Sequence, residues 1–136
     1  GKAICNTLCA PLRDDVALQD PNVVKVVRGR NGKALYFSRA PIPFVKEGTF
    51  VMLRHIGVYG FLRETLLRVP ALQSSGLAEA ESLEQLRFLE NDIPMHVLDA
   101  TGDPWGIETR SDYDAFLQRR AAKATASHRS HDKSPG

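Results

Sequence analysis

The sequence predicts an α/β domain, and three observations predict it. Runs of β-branched and aromatic residues recur near residues 22–28, 34–39 and 51–60, as strands require. Leucine and alanine at spacings of three between Leu77 and Leu89 describe one face of a helix. Strand-like and helix-like segments follow one another along a chain of 136 residues, a length suited to one domain with a real core.

Residues 3–13 read as a short strand ending at Pro11, and Asp14 to Pro21 as a loop or brief helical turn. Asn22-Val23-Val24-Lys25-Val26-Val27-Arg28 is a β-branched strand. Asn31-Gly32 before a new apolar stretch predicts a hairpin, with Ala34-Leu35-Tyr36-Phe37-Ser38-Arg39 as the return strand. There Leu35, Phe37 and Arg39 share a face, with a guanidinium at the end of an apolar row. Pro41 and Pro43 end the pairing, because proline cannot donate to a ladder.

After a connecting loop over residues 44–50, a strand over about 51–60 contains Leu53-Arg54-His55-Ile56-Gly57-Val58-Tyr59-Gly60. Alternation turns His55, Gly57 and Tyr59 to one face and Ile56 and Val58 to the other. An imidazole and a phenol flanking a glycine suit the wall of a polar pocket. They equally suit a half-buried structural pair, and periodicity does not choose between the two.

A short helix over 62–69 stops near Pro70. A longer one is predicted from about Leu77 to Asn91, with Leu77, Ala80, Leu83, Leu86 and Leu89 as its buried stripe. Glu84 and Gln85 fall beside that stripe, at its solvated edge. Met95-His96-Val97-Leu98-Asp99 predicts a strand and residues 102–106 a tight loop. Thr109 can cap a helix over 110–122, with Asp112 in a capping-box-like place. Residues 123–136, rich in Ser, Lys, His and Pro, read as a disordered tail whose His128 and His131 are solvated.

Composition narrows the function classes. Hydrophobic residues make up 43% and charged residues 25%, ordinary for a soluble globular protein. A net charge of +2 is too small to argue for nucleic acid or an anionic membrane as partner. No apolar run approaches the roughly 18 to 20 residues of a membrane span. The start shows no signal-peptide pattern, so the expected location is the cytoplasm. The chain opens inside a strand without an initiator Met, which suggests a fragment or a processed product. Cys5 and Cys9 lack the spacing of a zinc site and read as buried free thiols of a reducing compartment.

Four blocks in order carry a resemblance to a known family: Pro21 to Val27, Ala34 to Ala40, Leu53 to Gly60, and Leu83-Glu84-Gln85-Leu86-Arg87. Together they resemble CMP-Kdo synthetase, the 3-deoxy-manno-octulosonate (Kdo) cytidylyltransferase of bacterial lipopolysaccharide synthesis. The resemblance spans residues 1–122 and implies part of an α/β nucleotidyltransferase domain, with a mixed central sheet and flanking helices. It matches the C-terminal, sugar-acid-binding and dimerising half of family members. The glycine-rich phosphate loop and cytosine contacts of their first half have no counterpart here.

The resemblance implies Arg39, His55, Tyr59, Glu84 and Gln85 as substrate-binding residues. Arg39 matches the arginine that approaches the sugar acid, and a guanidinium suits a carboxylate. His55 and Tyr59 match Kdo contacts, and Glu84 and Gln85 match a pair that hydrogen-bonds sugar hydroxyls. At Gly106-Ile107-Glu108-Thr109 the family has aspartate where Glu108 stands. That aspartate helps hold catalytic magnesium, whose tight octahedral geometry makes an added methylene matter.

The implied partners are Kdo, CTP only if the missing half is supplied, and a second copy of the chain in a homodimer. The implied activity is CTP + Kdo → CMP-Kdo + pyrophosphate, absent from this portion alone. The other reading is a non-catalytic sugar-acid-binding or dimerisation module derived from the family. A cut through such a sheet is expected to leave an unpaired edge and to favour self-association.

Overall fold

The computed structural model describes residues 5–73, 76–101 and 110–130, with 123–130 described by backbone alone. The chain divides into two compact units, Gly1–Gly102 and Asp103–Gly136. The first contains β1 (Cys5–Pro11), α1 (Asp15–Gln19), β2 (Lys25–Arg28), β3 (Ala34–Ser38) and β4 (Leu53–Phe61). It continues with α2 (Arg63–Arg68), α3 (Gly76–Glu81), α4 (Leu86–Glu90) and β5 (Met95–Asp99), and the second unit contains α5 (Arg110–Ser130).

The five strands make one sheet in the order β3-β2-β4-β1-β5. β1 is antiparallel to β4 and parallel to β5, so the sheet is mixed, while β2 is antiparallel to both β3 and β4. The predicted hairpin joins β2 to β3, with Gly32 at φ +80, a conformation glycine adopts without steric cost. Its tip reaches β5: Val97 N–H donates to Gly32 O at 2.8 Å, and Lys33 bridges His96. The outer edge of β5 is thereby partly paired.

One sheet face contributes Cys5, Cys9, Val26, Phe37, Met95 and Val97 to the core, and the α3–α4 segment packs Ala78, Leu83, Leu86, Phe88 and Ile93 against them. Each large apolar side chain buried this way contributes about 1.5–3 kcal/mol. Both cysteines are free and buried, as their spacing predicts.

The single helix expected over 77–91 is instead two short ones. Ser82 lies between them at φ +51. Leu83 N–H returns to Ala78 O at 3.0 Å and Ser82 N–H to Glu79 O at 3.2 Å, the two bonds of a Schellman closure. α4 ends the same way through Asp92, at φ +55, and Ile93, whose N–H donates to Phe88 O at 2.9 Å.

A non-glycine residue in the left-handed region costs roughly 1 kcal/mol. At Ser82 the offset comes from the end of β3. The Glu81 carboxylate accepts from the Ser38 hydroxyl at 2.6 Å and from Arg39 N–H at 2.9 Å. The Arg39 guanidinium donates to Glu81 O at 2.7 Å and to Ser82 O at 3.0 Å, satisfying carbonyls a helix end leaves bare. The break resets the helical phase. Leu77 and Ala80 are exposed, Ala78 takes the buried place, and Leu83 and Leu86 remain inside.

In the second unit α5 runs through Ser130, past the boundary at 122 where disorder was expected to begin. Ala121, Ala122, Ala124 and Ala126 give this stretch a helix propensity that lack of apolar periodicity does not cancel. The proposed cap at Thr109 lies outside the described residues. Among those described, no helix is long and apolar enough to cross a membrane.

Candidate functional site

The site begins with an irregularity. Thr7 pairs with Tyr59 but Leu8 pairs with Ile56, leaving Gly57 and Val58 without partners on β1. An insertion of two residues bulges a strand without changing its sidedness, so His55 and Tyr59 stay on the face of Thr7 and Cys9. A side chain added at Gly57 would meet nothing within 4 Å, so the space beside it is open.

The Thr7 side chain fills the inner side of the bulge. It is 1% exposed, and its Oγ1 lies 2.9 Å from Val58 O, 3.2 Å from Ile56 O and 2.8 Å from His55 Nε2. The imidazole stands edge-on to Phe37, with centroids 4.8 Å apart, and tilts against Tyr59 at 5.6 Å. On its other side Gln85, itself 6% exposed, places Nε2 3.4 Å from His55 Nδ1. Tyr59 in turn stacks on Phe61 at 6.0 Å.

Burial governs the electrostatics. It pulls the His55 imidazole down to about 4, leaving it neutral at physiological pH. Burial, with a smaller contribution from Cys5, pushes the Tyr59 phenol up to about 12, although the residue keeps 36% of its surface exposed. Neither ring is poised for proton transfer near neutrality. Phenol, imidazole and carboxamide together form a neutral set of donors and acceptors, suited to recognising hydroxyl groups.

Of the five substrate residues the resemblance implies, the structure therefore brings three together: His55, Tyr59 and Gln85. Glu84 points elsewhere. Its side chain is 84% exposed and pairs with Arg87 at 3.0 Å. The helix break explains the separation, because Gln85 turns inward at the start of α4 while its neighbour stays in solvent. Arg39 has its guanidinium engaged by backbone, through Glu81 O, Ser82 O and Pro21 O, the last at 2.9 Å. Glu108 lies outside the described residues.

Several contributors escaped the sequence reading. Thr7 is a polar residue on the core-facing side of β1 between Cys5 and Cys9, and that interruption was the available signal. Glu81 sat unremarked on a helix expected to be continuous. Its carboxyl is pushed up by burial but pulled down further by the hydrogen bonds from Ser38, Arg39 N–H and Tyr36, for a net position below the ordinary range. Lys25 is wholly buried, its ammonium donating to Asp20 O and Arg39 O at 2.8 Å each. It ties the Asp20 turn to the chain beyond β3, and burial lowers its pKa, partly countered by Asp20.

An open cleft of about 570 Å³ lies at the hairpin and β5, lined by residues including Arg28, Arg30, Phe50 and Asp99. It shares no residue with the His55 cluster. Arg28 there is spent on Val97 O and the Asp99 carboxylate, both at 2.7 Å. Among the described residues no group of three or more His, Cys, Asp or Glu side chains is placed to hold a metal ion.

With this geometry in view, known proteins place the chain. A family model described as Cytidylyltransferase matches residues 2–96. A 3-deoxy-manno-octulosonate cytidylyltransferase from Chlorobium limicola is 47% identical over 126 residues, covering 90% of this chain and 50% of that protein. The enzyme of the same name from Acidobacterium capsulatum is 43% identical over 114 residues, covering 82% and 46% respectively. Among solved structures, CMP:2-keto-3-deoxy-manno-octonic acid synthetase complexed with CTP superposes with a TM-score of 0.76 at 32% identity, over 90% of this chain and 49% of that one. The chain spans about half the length of the curated relatives it matches. It belongs to the cytidylyltransferase family, with CMP-Kdo synthetases as its relatives.

Proposed function

We propose that this chain is the C-terminal, Kdo-binding portion of a CMP-Kdo synthetase, acting in the cytoplasm on the route to lipopolysaccharide. The observation that carries the reading is the meeting of His55 and Gln85, 30 residues apart in sequence, at 3.4 Å beside Tyr59. Those are residues the resemblance assigns to the sugar, and a polyhydroxylated ligand needs such oriented donors and acceptors.

In the full reaction the anomeric hydroxyl of Kdo attacks the α-phosphate of CTP and pyrophosphate leaves. This chain's share is positioning. His55, Gln85 and the Tyr59 phenol hold sugar hydroxyls so that the nucleophile is oriented. Glu84 reaches a sugar hydroxyl from the solvent side by releasing Arg87. Arg39 serves by holding the turn at Ser82, which sets where Gln85 points. Magnesium, when bound, stabilises charge on the transferring phosphoryl group, and Glu108 is the residue of this chain that would take part.

Two measurements test the reading. Calorimetry with millimolar Kdo is expected to show binding, and His55→Ala to weaken it by about tenfold or more. An absence of heat with the unaltered chain would overturn the sugar assignment. The purified chain with CTP, Kdo and magnesium is expected to form no CMP-Kdo. Turnover above a no-protein control, lost in His55→Ala, would show that catalysis does not need a separate nucleotide half. Homodimerisation is read by sedimentation of the same sample.

A further inference from the structure

We infer that Thr7 is a positioning residue that fixes which nitrogen of His55 carries the proton, so that the imidazole offers Nδ1 as an acceptor beside the Gln85 amide. The argument is one of proton counting. Around Thr7 Oγ1 stand three partners: Val58 O at 2.9 Å, Ile56 O at 3.2 Å and His55 Nε2 at 2.8 Å. A hydroxyl has one proton, and carbonyl oxygens only accept. If that proton went to the imidazole, the hydroxyl would turn only lone pairs toward two carbonyl oxygens at 2.9 and 3.2 Å, acceptor against acceptor in a buried site.

The arrangement closes when the hydroxyl donates to the bulge carbonyls and accepts from His55, which requires the proton on Nε2. The opposite side of the ring is consistent with this. Gln85 Nε2 is a donor, and its approach to Nδ1 at 3.4 Å calls for a lone pair there. The contact is long, so an inserted ligand hydroxyl can donate to Nδ1 and accept from the carboxamide with little loss. A neutral ring offering an acceptor next to an amide donor recognises a hydroxyl in both of its hydrogen-bonding roles, and it makes no demand for ligand charge. The carbonyls of Val58 and Ile56 are thus what hold the hydroxyl in place, and the bulge and the ring's protonation are one device.

The sugar-binding consequence rests on the proposed substrate, whereas the tautomer does not. Nitrogen-15 NMR of the imidazole in the full chain, without ligand, separates the two. Near neutral pH the unaltered chain is expected to show Nε2 in the protonated position and Nδ1 in the unprotonated one. Thr7→Ser is expected to preserve that spectrum, and Thr7→Val, similar in shape but without a hydroxyl, to move it toward a mixture of tautomers. Amide dispersion in the same samples reports whether each variant is folded. A proton on Nδ1 in the unaltered chain, or a Thr7→Val spectrum unchanged in a folded protein, would overturn the inference. If Thr7→Val does not fold, Thr7→Ala, which also removes the hydroxyl, is read in the same way, and an unchanged spectrum in that folded variant would overturn the inference. Titration with Kdo then adds the functional arm: about tenfold weaker binding in Thr7→Val, and Thr7→Ser within about threefold of the unaltered chain. Tautomers as expected with no Kdo binding in any sample would uphold the role of Thr7 and overturn the choice of ligand.

Discussion

The imidazole of His55 is the residue whose chemistry the fold has altered most plainly. Its pKa falls from an ordinary 6.5 to about 4 because burial disfavours the charged ring. In that interval the unfolded chain binds the extra proton and the folded chain does not, so stability rises with pH. The stability is fully present above about 6.5 and declines as pH falls toward 4, by at most about 1.4 kcal/mol per pH unit. Urea unfolding of the unaltered chain and His55→Gln across that range is expected to differ in this slope, and parallel curves would contradict it. The sequence told part of this. Alternation placed His55 and Tyr59 on one face, and the resemblance attached Gln85 to them. Alternation cannot report that a buried threonine stands behind the ring, because Thr7 and His55 are 48 residues apart and meet only through strand pairing.

Among the elements, the helix break at Ser82 shows where local pattern stops being sufficient. Spacings of three between Leu77 and Leu89 fit one continuous helix, and nothing local to that stretch opposes it. The opposing force comes from Ser38 and Arg39, more than 40 residues upstream in sequence. Strands fared better, because β-branched runs and the Asn31-Gly32 turn act through neighbours. Two substitutions probe the break. Ser82→Gly is expected to stabilise the chain by up to about 1 kcal/mol, since glycine accepts the left-handed conformation freely. Glu81→Ala is expected to destabilise it by roughly 2–3 kcal/mol, from loss of a charged acceptor shared by several donors. The Glu81 carboxyl is held below its ordinary pKa, so its stabilisation is present above the unfolded value and is lost as pH falls through the folded one. Glu81→Ala is therefore expected to flatten the acid limb of the stability curve. Denaturant midpoints measure both effects.

For the whole molecule, order along the chain and order across the sheet are different things. The mixed sheet was implied by the family resemblance, but the strand order was not read at all, because no local signal says which strands will neighbour each other. β5, the last strand described, lies parallel beside β1, the first described, and its far side meets the hairpin tip at Gly32 and Lys33. Contacts such as Cys9 with Asp99 close a separation of 90 residues. That placement has a kinetic consequence. The chain must close a separation of 90 residues before β5 pairs with β1, so refolding should be slow for a chain of this size, roughly milliseconds to seconds, as in folds dominated by non-local pairing. Stopped-flow refolding measures this, and a microsecond phase that completes the sheet would contradict it. During synthesis β1 leaves the ribosome long before its parallel partner exists. Of the strands described, the first waits for the last.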